Sequence, residues 1–255
     1  MRIVRFSDGD SPKFGLLKDD SNRVFVLRGD PMFSPIEPSG EVFELDEIRL
    51  LAPVIPRSKV VAAARNWPTH APENIPDEPV IFIKPNTSVT GPEDPIIYPA
   101  WSNHIEPEGE LAVVVKTLAK DVPVDRVDDI VFGYTVGNDV SARDKQRKDG
   151  QFTRGKGFDS SCPLGPWITV DPELDIDSLQ ITTRVDGTPI QQGNTADMIF
   201  PVRELVSFVS HCFTLLPGDV ILTGTPTDSV PVHPGDRVEV EIEGIGKISN
   251  PVIRR

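Results

Sequence analysis

Twenty-six prolines and nineteen glycines interrupt this 255-residue chain, leaving short apolar runs rich in β-branched side chains between them. Proline locks φ and removes a backbone donor, and glycine weakens any regular element it interrupts, so dense punctuation drives the chain toward short strands and turns. Strands are predicted over residues 60–64, 80–83, 110–115, 130–140, 167–170, 180–185, 220–223 and 237–242. One helix is predicted, over 203–214. There Leu205, Phe208, Val209, Cys212 and Phe213 recur at helical spacing before Pro217-Gly218 stops it. The expected fold class is mainly β with minor α.

Residues 1–52 read as a small N-terminal β-rich subdomain. Apolar runs at 14–17 and 24–27 flank the turn-prone Asp19-Asp20-Ser21-Asn22, and a proline-rich stretch from Pro31 to Pro38 follows. The main domain is expected over 53–255, long enough to bury a full core unaided by disulfides. Two cysteines, Cys162 and Cys212, are too few for a disulfide framework and are expected to remain thiols in a reducing compartment.

The N-terminus has no apolar stretch of signal-peptide length, and no segment approaches the roughly 18 apolar residues of a membrane span, so a cytoplasmic protein is expected. A formal charge of −13 repels polyanions, which argues against nucleic acid or an anionic membrane as partner. An anionic small molecule would need positive charge supplied locally, and a bound dication is a compact way to supply it.

Glu106, Glu108 and Glu110 alternate at the head of the apolar run 111–115. Side chains two apart on an extended chain share a face, so these carboxylates can point together. A second apolar run ends at Asp139. Carboxylate oxygens without a neighbouring histidine or thiol suit a hard ion, Mg²⁺ first, then Mn²⁺ or Ca²⁺. The ordinary alternative is a solvated strand edge and a turn residue, and spacing alone does not exclude it.

Five stretches in order decide between them. These are Glu108-Gly109-Glu110-Leu111-Ala112, Gly137-Asn138-Asp139-Val140-Ser141-Ala142-Arg143-Asp144, Lys156-Gly157-Phe158-Asp159 leading into Cys162–Trp167, Leu216–Pro226, and Val238–Pro251. Together they resemble the fumarylacetoacetate hydrolase family, from about Arg57 to the C-terminus. The resemblance implies a mixed β-sandwich roll, usually a homodimer, with Mg²⁺ or Mn²⁺ held by Glu108, Glu110 and Asp139. It implies enzymes of 2-oxo and enol dicarboxylates, such as those of aromatic catabolism. Hydrolytic cleavage of a fumarylpyruvate-like acylpyruvate is the expected activity; isomerisation of 2-hydroxyhepta-2,4-diene-1,7-dioate, oxaloacetate decarboxylation and a catalytically silent anion-binding member are the alternatives.

The same resemblance assigns His70 and Glu73 to a catalytic His-x-x-Glu lid, and Lys156 to stabilising an oxyanion. Three apart on a helical turn, Glu73 would orient His70. Ala64 and Trp67 stand where the family usually has Gly and Tyr, and Pro68 and Pro72 flank the histidine, so any lid helix must be very short or form only on closure. Arg65, Lys84, Arg143, Gln146, Thr223, Gly224 and Thr225 are expected to contact substrate. His104, His211 and His233 are expected to be structural.

Overall fold

A computed structural model describes residues 1–18, 21–70 and 75–254, with the backbone alone for His70. The chain begins with an antiparallel meander of β1 (Arg2–Ser7), β2 (Lys13–Leu17), β3 (Arg23–Leu27) and β4 (Pro38–Glu44), followed by the short β5 (Arg49–Leu51). Phe6, Leu17, Val24 and Val26 alternate to the inside and give this segment its own small apolar cluster. It is nevertheless hydrogen-bonded into the rest of the molecule, because β1 pairs with β14 (Cys162–Thr169) through Arg2 opposite Thr169 and Ile3 opposite Ile168.

The central strands are β6 (Val60–Ala64), β7 (Val80–Lys84), then the two-residue β8 (Val89–Thr90), β9 (Ile96–Ile97) and β10 (Ile105–Glu106), then β11 (Gly109–Val115), β12 (Val131–Asn138) and the short β13 (Ser141–Ala142). After β14 come β15 (Gln180–Val185), β16 (Thr188–Asn194), β17 (Val220–Leu222), β18 (Arg237–Ile242) and β19 (Gly246–Ile253). Among the described residues the large sheet runs β4-β3-β2-β1-β14-β12-β11-β17-β6-β7, and a second sheet runs β16-β15-β18-β19-β9.

Strand β11 lies at the heart of this arrangement and explains why its sequence is apolar without alternation. Leu111, Val113 and Val115 face one core, shared with Val240, Ile242 and Ile248 of the second sheet and with the helix, while Ala112 and Val114 face another, shared with Val60, Ala62 and Leu222. A strand covered on both faces has no reason to place polar groups on either. The fold is mainly β, as the punctuation by proline and glycine predicts.

The predicted strands at 60–64, 180–185 and 237–242 match β6, β15 and β18, and the helix appears as α3 (Val202–Cys212). The strand predicted at 167–170 begins five residues earlier, at Cys162, running through Pro163 and Pro166. Prolines conceal a strand from a propensity reading, yet they are tolerated wherever no ladder donor is needed. Two short helices, α1 (Arg143–Asp149) and α2 (Thr153–Lys156), were not anticipated because their charged sequences carry no apolar stripe. Among the described residues, no helix is long and apolar enough to cross a membrane.

Candidate active site

Strand register assembles the acidic cluster. Gly109 pairs with Asn138 and Glu110 with Gly137, so the start of β11 lies beside the end of β12. The Asp139 amide donates to the Glu108 carbonyl at 2.8 Å, and the Glu108 amide donates to the Asn138 side-chain oxygen at 2.9 Å. Glu108 and Glu110, two apart, therefore turn to the same side, and Asp139 meets them from the neighbouring strand. All three are buried, each offers a carboxylate oxygen, and these oxygens lie within 4.8 Å of one another. Gly109 between them has no alternative: a Cβ there would sit 2.2 Å from the Thr183 hydroxyl.

Such crowding is electrostatically expensive. Burial, and then the charges of Asp139 and Glu108, raise the Glu110 carboxyl well above the usual carboxylate range, although the Gly224 amide donates to it at 2.6 Å. Cations crowd in from the protein itself. The Lys156 ammonium donates to Asp139 at 2.6 Å and also to Glu108. Burial alone would push that ammonium toward neutrality, but Asp139 and Glu108 outweigh it and raise its pKa. Lys84 reaches Asp139 from behind at 2.5 Å and also donates to the Lys156 carbonyl. The donor set is all carboxylate, anionic and preassembled, which is what a hard dication such as Mg²⁺ or Mn²⁺ requires.

Arg143 completes the ring. The short pairing of β10 with β13 sets Ile105 opposite Ala142 and Glu106 opposite Ser141, carrying Glu106 to Arg143 at the head of α1. Arg143 Nε donates to Glu106 at 2.7 Å, Nη1 donates to Gln146 at 3.0 Å, and Nη2 donates to Glu108. Burial opposes its charge, but Glu108 and Glu106 prevail and hold the guanidinium firmly protonated. Behind Glu106 stands His104, its Nε2 2.6 Å from the second carboxylate oxygen. His104, expected to be merely structural, thus braces the residue that braces Arg143. The signal missed in the sequence was the alternation of His104, Glu106 and Glu108.

A cavity of about 180 Å³ opens onto the cluster, lined in part by Glu108, Glu110, Arg143, Gln146, Lys156 and Thr225. It also touches Arg65. Three of the expected substrate contacts, Lys84, Thr223 and Gly224, do not line this cavity. Lys84 is fully buried and does not line the cavity, because its ammonium is held behind Asp139. Thr223 is likewise buried, with its hydroxyl donated to the Leu111 carbonyl at 3.0 Å, and the Gly224 amide is taken by Glu110, so of that tripeptide only Thr225 lines the cavity. Gln191, not foreseen, holds the rim: its amide donates to Thr225 at 3.0 Å and to the Thr227 carbonyl at 2.6 Å, and its oxygen accepts from Gly109 at 3.2 Å.

The segment before the cavity is fastened equally well. Asn66 donates to the carbonyls of Phe200 and Thr223 at 3.0 and 2.9 Å and accepts from the Phe200 amide at 2.8 Å. A 3₁₀ turn follows, Pro68–His70, and Thr69 ties it to the Pro226 carbonyl. Glu73 lies outside the described residues. A separate cavity of about 280 Å³ beside Tyr134 has Arg203 as its cation, already paired with Asp128 at 3.1 Å and Asp177 at 2.9 Å.

Comparison with known proteins agrees with the site. Residues 58–253 match the family model described as fumarylacetoacetate (FAA) hydrolase C-terminal. The chain belongs to the fumarylacetoacetate hydrolase family. Residues 1–53 match a second model, the Rv2993c-like N-terminal one. Protein Rv2993c of Mycobacterium tuberculosis is 43% identical, with 100% of this chain and 99% of that protein covered. The 5-carboxymethyl-2-hydroxymuconate delta-isomerase of Mycobacterium smegmatis, a solved structure, superposes with a TM-score of 0.93 at 43% identity over 100% of both chains. The mitochondrial oxaloacetate tautomerase fahd2 of Xenopus laevis is 38% identical over 99% of this chain and 90% of its own. Members of the family are thus enzymes, and the buried acidic triad of this one can bind a metal ion.

Proposed function

We propose that this fumarylacetoacetate hydrolase family member is a Mg²⁺- or Mn²⁺-dependent enzyme that moves a proton on an enolisable 2-oxo dicarboxylate, as an isomerase or tautomerase. The observation that carries the reading is the convergence of Glu108, Glu110 and Asp139 beside the Lys156 ammonium. A dication held there would supply Lewis acidity to a chelating 2-oxo acid. The chain's own groups do the rest. Arg143 and Gln146 offer donors at the cavity wall, and Lys156 places a permanent positive charge where an enolate oxygen gathers negative charge. His70 is proposed as the base that removes and returns the proton, oriented by Glu73. The isomerase and tautomerase relatives support proton transfer.

Hydrolysis of an acylpyruvate, the activity expected from the sequence, is the second reading, favoured by the description of the matched family domain. It uses the same enolate and adds an activated water. One experiment separates the two. A hydroxydiene dicarboxylate, a fumarylpyruvate and oxaloacetate are supplied in D₂O with Mg²⁺, and products are followed by NMR. Rearranged diene or deuterium entering the carbon next to the carbonyl supports proton transfer. Release of pyruvate with the second acid supports hydrolysis. Neither outcome on any substrate, or undiminished turnover in protein verified free of metal, overturns the proposal.

A further inference from the structure

The cavity over the acidic cluster does not end there. It shares Arg65, Arg143, Gln146 and Phe152 with a wider, open chamber of about 640 Å³, whose remaining wall includes Glu106, Arg147, Asp228 and Ser229. Short 2-oxo acids would be accommodated by the inner space alone. The chamber's volume and charge need a different explanation.

Two arginines set that charge. Arg147 sits one helical turn after Arg143 on α1, so residues 143, 146 and 147 present one face to the cavity. Arg65 comes from the other side, at the end of β6. Its backbone is held at φ 57°, a left-handed conformation that a long side chain adopts only when its surroundings impose it. The imposition is visible: β6 fixes Ala64 on one side, and the three hydrogen bonds of Asn66 fix the other. Among the described residues, neither Arg65 nor Arg147 makes a side-chain hydrogen bond or ion pair. Glu106 is engaged by Arg143 and His104, and Asp228 also has a partner, so the two arginines set the charge of the wall.

We infer that the outer chamber is a carboxylate subsite, in which Arg65 and Arg147 select substrates carrying a second carboxylate several carbons beyond the 2-oxo acid group. The inference rests on the proposed 2-oxo acid reading and narrows it, favouring extended dicarboxylates over four-carbon ones such as oxaloacetate. Both arginines are exposed, and an arginine facing a carboxylate makes charge-assisted hydrogen bonds.

The test is calorimetric and needs no turnover. Binding of 2-oxoadipate is compared with that of 2-oxohexanoate, which has the same chain but ends in methyl, on the full chain with Mg²⁺. The pair 2-oxoglutarate and 2-oxopentanoate serves as the shorter control. The expected result is a preference of about tenfold or more for 2-oxoadipate over its methyl counterpart, corresponding to one good ion-assisted contact, and a smaller preference in the five-carbon pair. In Arg65→Gln and Arg147→Gln the six-carbon preference should fall to about threefold or less, with Arg147→Lys restoring part of it. Equal binding of the six-carbon pair overturns the inference and leaves the 2-oxo acid reading standing, as does a preference that survives both substitutions. Failure of all four acids to bind overturns the 2-oxo acid reading itself, and the inference with it.

Discussion

In the inner cavity the charges restrain one another: Asp139 receives both Lys84 and Lys156, Glu108 receives Arg143 and Lys156, and Arg143 is held by Glu106, Gln146 and Glu108. In the adjoining chamber Arg65 and Arg147 extend toward open space with no such partners among the described residues. The inner groups sit on the ends of β11 and β12, whose pairing fixes them to within a hydrogen bond, whereas the outer ones stand on a strand end and a short surface helix. A preorganised centre suits chemistry that tolerates little displacement, and an open cationic rim suits the recognition of a variable tail. Changes to the inner network should therefore damage catalysis or folding, and changes to the outer wall should alter selectivity.

The strongest way to break this contrast is Asp139→Asn. It removes one ligand and unbalances Lys84 and Lys156, and kcat/KM should fall about a thousandfold or more, with Mg²⁺ binding lost in calorimetry. Retention of metal binding would show that the cradle is less dependent on each member than its packing suggests. Lys84→Met tests the inner network from behind. It leaves a buried carboxylate short of one partner, and urea unfolding should show a loss of about 3 kcal/mol. A loss confined to activity, with full stability, would mean that Lys84 is not part of the restraint.

Glu106→Gln sharpens the comparison at the border between the two regions. Arg143 would lose one anchor while Glu108, Glu110 and Asp139 remain, so kcat/KM should drop about ten- to a hundredfold with Mg²⁺ affinity largely kept. Equal loss of both would place Glu106 in the metal centre instead. The thiols report how tightly each part of the molecule is closed. Burial pushes the Cys162 thiol up to about 12, while Cys212 is exposed. At pH 8 one thiol per native chain should react with a disulfide reagent and two after denaturation.

The smallest effect is expected outside both cavities, at Asp144 in the first turn of α1. Asp144 accepts from Ser102 at 2.6 Å and pairs with Lys145 at 2.8 Å, and although burial opposes its charge these contacts hold it at about 2 rather than 3.8. A carboxyl depressed in the folded state adds stability that is present above its unfolded value and fades as pH falls from 3.8 toward about 2. Melting temperatures of the native protein and Asp144→Asn should differ slightly above pH 4 and converge near pH 2. A large difference at neutral pH would show this helix end to be as tightly restrained as the core.

Much of the fold was legible because its signals are local. Runs such as Val60–Ala64 and Arg237–Ile242 carry their own propensity, and the apolar stripe of α3 repeats at helical spacing. The strand beginning at Cys162 was partly hidden by its prolines, and α1 and α2 by their charge. At the site, the alternation of Glu108 and Glu110 gave a shared face, and the motif containing Asp139 supplied the third acid. Lys84 and Thr223 were misplaced for one reason: a polar residue near a site looks the same in sequence whether it faces the ligand or the protein.

The sequence by itself determined that short strands would dominate, that acidic side chains would lie together at the head of β11, and which family the chain resembles, since each of these is written in neighbouring residues or in motifs read in order. Only the tertiary structure decided that Lys84 stands behind Asp139, that His104 and Glu106 brace Arg143, and that Arg65 and Arg147 border one chamber. Those arrangements depend on partners separated by tens of residues, as Lys84 is from Asp139. A polar side chain takes whichever partner the packed strands bring within hydrogen-bond reach, and the local pattern carries no record of that choice.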